Sequence, residues 1–246
     1  MAENPNWAAR SGAAASVEID QGLRSFMLGV YNYMAIGLVI TGAVAYAMSL
    51  ALINQTTGQP TQLFFTLFAS PLKWLIMLAP LGMVFFMGAS LRRLSLSAAQ
   101  LTFWAFAALM GLSLSTIFLA YTSASIVTTF FASAAAFAGL SLWGYSTKRD
   151  LSAMGSFLMV GLIGIIIAML VNMFLKSSGL EFAISIIGVL IFAGLTAFDT
   201  QRIKEMYSAG DDGTMIGRKS IYGALQLYLD FINLFLFLLR FMGNRR

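Results

Sequence analysis

The sequence predicts an all-α integral membrane protein, a bundle of seven apolar helices folded as one domain. Three observations predict it. Of 246 residues, 59% are hydrophobic and only 10% are charged, against roughly 25% charged in an ordinary soluble domain. Mean hydropathy is +0.82, and 21 Phe and 15 Met supply apolar surface on every face of a helix rather than on one stripe, as lipid contact demands. Finally, seven apolar runs approach or exceed ~20 residues, the length that crosses a ~30 Å hydrocarbon core as helix.

Residues 1–25 are small and polar, with Glu3, Glu18 and Asp20, and lack the basic start and apolar stretch of a secretory signal. They are expected as a flexible cytoplasmic tail, with 26–246 as a single transmembrane domain. The first span is expected over 26–53. A Gln/Thr/Gly/Pro-rich loop follows over 54–61, then a short apolar segment ending at Ser70. Spans two to six are expected over 72–90, 98–121, 125–145, 153–175 and 180–199. A long polar loop, 200–220, precedes the seventh over 221–241. No internal repeat is evident, and the joints are short.

Loops rich in Lys and Arg stay cytoplasmic. With the N-terminus inside, the inner segments hold Arg10, Arg24, Arg92, Arg93, Lys148, Arg149, Arg202, Lys204, Arg218 and Lys219, and the outer loops hold only Lys73 and Lys176. The N-terminus is therefore expected in the cytoplasm. Arg240, Arg245 and Arg246 run against the rule if the seventh helix crosses, so that helix either crosses fully or returns as a re-entrant element.

The absence of Cys and His excludes disulfides, thiolate or imidazole zinc sites, haem attachment and nucleophile–His catalysis. The Gly111-Leu112-Ser113-Leu114-Ser115 run therefore lacks a base and reads as small residues at a helix contact. Ala132, Ala136, Gly188 and Gly194 read the same way. The net charge of +5 is scattered in pairs between apolar runs and forms no basic face for nucleic acid. Gly210-Asp211-Asp212-Gly213 lacks the spaced ligands of a calcium loop and reads as a solvated turn. No enzyme activity and no cofactor are expected.

Two carboxylates stand out. Asp230 sits in the middle of the seventh span, and a charged Asp at a helix centre costs about 2.5–3.5 kcal/mol on insertion scales, which makes it a candidate functional residue. Gln226, Asp230 and Asn233 fall at i, i+4 and i+7, a polar stripe on an otherwise apolar helix. The alternative is that these three serve as interhelical glue, at about 1 kcal/mol per hydrogen bond. Asp199 closes span six, and both Asp residues flank one loop, so their helices are expected to be neighbours.

The run Leu227-Tyr228-Leu229-Asp230-Phe231-Ile232-Asn233-Leu234-Phe235, together with Phe198-Asp199-Thr200-Gln201 and Gly144-Tyr145-Ser146-Thr147-Lys148-Arg149-Asp150-Leu151, resembles the Bax inhibitor family of transmembrane proteins, in a bacterial form. The resemblance covers most of the chain. It implies a bundle with the last helix near the centre, in the bacterial inner membrane, and a pH-sensitive, calcium-permeable leak pathway. It further implies that Asp199 and Asp230 share a proton as a gating latch, helped by Arg92 or Arg93, and that both make transient contact with calcium, the permeant ion. The lipid bilayer, calcium and protons are the expected partners. Two carboxylates within reach of each other in a poorly hydrated site cannot both ionise cheaply, so a proton tying two helices is physically sound.

Three other functions compete. Intramembrane aspartyl proteases also place one Asp on each of two late helices, but Phe198 before Asp199 and Leu227-Tyr228-Leu229 before Asp230 differ from the motifs of those enzymes. A proton-coupled transporter uses intramembrane carboxylates too, yet Pro71 and Pro80 interrupt only the second span, with no counterpart in a related span. The third is a non-conducting regulator of membrane proteins.

Overall fold

The computed structural model describes the backbone of residues 6–90 and 93–246, and the side chains of 21–90 and 93–246. Among these residues every regular element is a helix: α1 (Asn6–Leu52), α2 (Gln62–Phe68), α3 (Leu72–Ser90), α4 (Leu96–Leu114), α5 (Ile117–Ala120), α6 (Ser123–Ser146), α7 (Ser152–Leu175), α8 (Ser178–Glu205) and α9 (Gly213–Met242). Seven stretches are long and apolar enough to cross a membrane, α4 and α5 together forming the third. The chain is an all-α membrane bundle. Four helices open on side-chain N-caps, in which Ser95, Thr122, Ser177 and Asp212 accept the N–H groups of Ala98, Ser125, Leu180 and Met215, satisfying donors that helix starts leave free.

Two boundaries differ from expectation. Helix α1 begins at Asn6, so residues 6–25, expected as a tail, continue the first span as helix; Ala8, Ala9, Ala13, Ala14 and Ala15 favour this and no proline interrupts them. Residues 1–5 lie outside the described residues. The expected 200–220 loop shrinks to 206–212 because both flanking helices run on. Asp199, expected at the close of span six, has about a turn and a half of helix beyond it. The extension holds because Thr200 and Ile203 are fully buried, and because the Gln201 side chain accepts Leu151 N–H at 2.9 Å and donates to Arg149 O at 2.8 Å. A polar Thr200-Gln201 pair reads as loop in sequence, but here it fastens α8 to the α6–α7 joint.

Helix α9 lies at the centre, packed against α8, α1, α6 and α4, with Ile221, Ala224, Leu227 and Tyr228 fully enclosed. Helix α7, of 24 residues, buries only Gly155, Leu158 and Ile165. Most of the remaining α7 side chains are apolar and exposed, as in a lipid-facing helix, while Met154, Leu162, Ala168 and Met169 pack partly against the core. A directed hydrogen-bond chain fixes α9 against its neighbours. The single hydroxyl proton of Thr41 goes to Ala107 O at 2.8 Å, so the 2.6 Å contact between Thr41 Oγ1 and Tyr228 is donated by the phenol. That chain links α9, α1 and α4.

The seventh helix traverses the whole bundle. Beyond its end, Thr122 N–H donates to Asn244 O at 3.1 Å and Arg246 N–H to Ala120 O at 3.0 Å, Asn244 N–H donates to Ser125 Oγ at 2.9 Å, and the Arg245 guanidinium pairs with Glu181 at 2.6 Å. These partners belong to the α5–α6 joint and the start of α8, on the side opposite the α8–α9 joint. Of the two alternatives left open by the charges, the uninterrupted helix has the form of a full crossing and not of a re-entrant element.

Candidate functional site

The antiparallel register of α8 and α9 brings the two aspartates together. Ile203 packs on Gly223. Toward the other end Phe192 stacks on Phe237 at 5.7 Å, and the same Phe237 ring fills the space that a side chain at Gly188 would occupy. Between these fixed points Asp199 lies opposite Asp230, and the two carboxyls act directly on each other, with the Arg202 guanidinium acting on Asp199. Asp230 is buried, at 4% exposure. Its Oδ2 is fully enclosed without a hydrogen-bond partner, as is Gln226 Oε1.

Both aspartates line a cleft of about 500 Å³ walled by α3 (Leu81, Val84), α7, α8 and α9. The predicted stripe faces into it, since Gln226, Asp230 and Asn233 all line the cleft, although the Asn233 amide also donates back to Leu229 O at 2.8 Å. The stripe runs further along α9 than its polar residues alone indicate. Phe237 and Arg240 continue it at i+11 and i+14 from Gln226 and line the far end, where the Arg240 guanidinium lies 5.6 Å from the Phe237 ring centre. Arg202 was also missed; its signal is the i, i+3 spacing from Asp199, which puts both on one helix face.

Arg93 stands in the exposed turn between α3 and α4 and is not among the lining residues, while Arg92 lies outside the described residues. Among the described residues, the basic side chain that the fold brings beside Asp199 is Arg202.

Two further features hold Asp199 in place. Thr200 donates to Thr196 O at 2.7 Å, so its hydroxyl accepts from Ser141 at 2.9 Å and Ser141 accepts from Tyr31 at 2.6 Å; α1 and α6 thereby brace the residue next to Asp199. At Gly144, the Ala197 carbonyl oxygen occupies the place of a Cβ. Helices α6 and α8 meet backbone to backbone there, the close approach that small residues permit.

Residues 23–246 match the model of the family described as inhibitor of apoptosis-promoting Bax1. The chain belongs to this Bax inhibitor family. As a family member it is 51% identical over 229 residues to uncharacterized protein RP147 of Rickettsia prowazekii, covering 92% of each chain. It is 46% identical to the inner membrane protein YbhL of Escherichia coli K12, over 92% of this chain and 94% of that one. An uncharacterized membrane protein of Streptococcus pyogenes is 36% identical over 92% of this chain and 95% of its own.

Proposed function

We propose that this Bax inhibitor family member is a calcium-permeable leak pathway of a bacterial inner membrane, gated by proton sharing between Asp199 and Asp230. The observation that carries the reading is the facing pair itself, two carboxyls from adjacent central helices lining one cleft about 500 Å³ in volume. Carboxylate oxygens are the hard ligands that calcium prefers. One shared proton ties α8 to α9. Losing it sets two negative charges against each other, and gaining a second removes the charge-assisted bond, so either change loosens the helix contact. The name of the Escherichia coli relative supports the inner membrane, and the Lys and Arg distribution supports an N-terminus and an α8–α9 joint in the cytoplasm. No catalytic step and no cofactor are assigned.

Calcium flux into proteoliposomes from about pH 5.5 to about pH 8.5 tests the reading. Asp199→Asn and Asp230→Asn keep shape but remove ionisation, and each is expected to flatten the pH response. Absence of wild-type flux at every pH, or a full pH response in both variants, overturns it in favour of a proton-coupled transporter or a non-conducting regulator.

A further inference from the structure

The cleft that holds the aspartates is open sideways. Helix α3 packs on α4 and α2, and α7 packs on α8, without substantial contact between α3 and α7. Leu81 on one rim and Met159 and Ile166 on the other are each about half exposed, at 52%, 50% and 46%, on the apolar belt of the bundle. An apolar molecule dissolved in the bilayer therefore reaches the interior between α3 and α7 without passing through water. The cleft volume falls within the ~300–1,000 Å³ of small-molecule sites.

The polar atoms inside select the head of such a molecule. Asp230 Oδ2 and Gln226 Oε1 are buried acceptors without a donor, and leaving a buried acceptor unpaired costs about 1–3 kcal/mol, more when it is charged. A carboxylate or phosphate head brings further acceptors and deepens the deficit. An ammonium brings three N–H donors and no acceptor, together with the charge that the carboxyl pair attracts. Arg202 and Arg240, at the two ends of the cleft, repel an ammonium there and confine it to the carboxyls between them. Val84, Leu162, Ile165 and Met169 accept the tail.

We propose that this cleft binds a protonated long-chain amine, which enters from the bilayer between α3 and α7 and places its ammonium on Asp230 and Gln226. Binding stands on the cleft alone. Its consequence, that the bound amine blocks ion passage, rests on the leak reading above.

The test is equilibrium binding of radiolabelled dodecylamine to the full chain in lipid nanodiscs, with empty nanodiscs subtracted. Saturable binding is expected, weakened about tenfold or more by Asp230→Asn and less by Gln226→Leu. The paired rim substitutions Leu81→Trp and Ile166→Trp, which narrow the opening and leave the carboxyls intact, are expected to slow association. Dodecyltrimethylammonium carries the charge without N–H donors and is expected to compete poorly, and dodecanoate not at all. Asp230→Glu, which keeps the charge, retains binding and guards against a loss caused only by misfolding. Equal binding by wild type and Asp230→Asn, or equal competition by the trimethyl compound, shows mere partitioning of amphiphile and overturns the proposal. Asp230-dependent amine binding by a protein that carries no calcium supports the site and sinks the leak reading, so the two fail separately.

Discussion

Asp199 and Asp230 face each other from antiparallel helices whose level is set by Ile203 on Gly223 at one end and Phe192 on Phe237 at the other. Groups in such direct contact act as a unit. Above the pH at which the shared proton is lost, replacing either by Asn removes a like-charge contact and is expected to raise thermal stability in detergent by about 1 kcal/mol, as at other functional sites that trade stability for activity. The double variant should add little to the better single one. Strictly additive gains in a fluorescence-monitored melt would mean that the carboxyls do not interact.

The Tyr228–Thr41–Ala107 chain makes a graded prediction. Tyr228→Phe removes one donor and leaves Thr41 paired with the carbonyl, so the expected loss is about 1 kcal/mol, typical of an interhelical bond in membrane. Thr41→Val strands the buried phenol, while the Ala107 carbonyl keeps its helical N–H, and should cost about 1–3 kcal/mol. Equal losses would argue against the assigned direction of the chain.

Gly144 and Gly139 lie on the same helix, and only Gly144 meets backbone across a helix contact. Gly144→Ala is expected to destabilise by about 1–3 kcal/mol and to disturb the pH response of flux through Ala197 and Asp199. Gly139→Ala, with open space for its methyl, should be neutral or slightly stabilising. A melt of both variants decides.

Membrane sidedness is directly testable because the chain has no cysteine of its own. Asp211→Cys and Asn244→Cys should label from opposite faces of the membrane. Labelling of both from one face would contradict the full crossing of α9. Breaking the Arg245–Glu181 pair, whose side chains are substantially exposed, should change stability by only about 0–1 kcal/mol.

Acidification carries a small signature at the α6–α7 joint. Hydrogen bonds from Ser152, including its N–H at 2.8 Å, hold the Asp150 carboxyl below the usual carboxylate range. The folded pKa lies under the unfolded one, so the bond contributes fully above the ordinary value of ~3.9 and is lost as pH falls through the folded value. Asp150→Asn should remove that acid-dependent loss of stability, measured by melts on either side of pH ~3.9.

Much of the architecture was legible because bilayer thickness imposes a length on every apolar run. The Gln226, Asp230 and Asn233 stripe was legible for a related reason, since polar groups on an apolar helix must turn inward. Small residues were ambiguous. Gly188 and Gly194 meet Phe237 and Leu158, as expected of packing contacts, whereas Ala132 and Ala136 are exposed while Thr129 and Ser133 face inward. In lipid, Ala is as comfortable outside as inside, so its identity carries no direction. The continuation of α8 past Asp199 was hidden because Thr200 and Gln201 find their partners on α1, α6 and the α6–α7 joint, residues distant in the chain.

The most enclosed helix is also the last of the seven to leave the ribosome. The first six spans must therefore reach the membrane before the element around which four of them pack exists. Until α9 arrives, the inner faces of α1, α4, α6 and α8 have only lipid or each other to touch, and the Thr41 hydroxyl waits for its phenol. Assembly of this protein is then a closing step rather than a gradual accretion. A nascent chain released before residue 213 would leave those four inner faces without their shared partner.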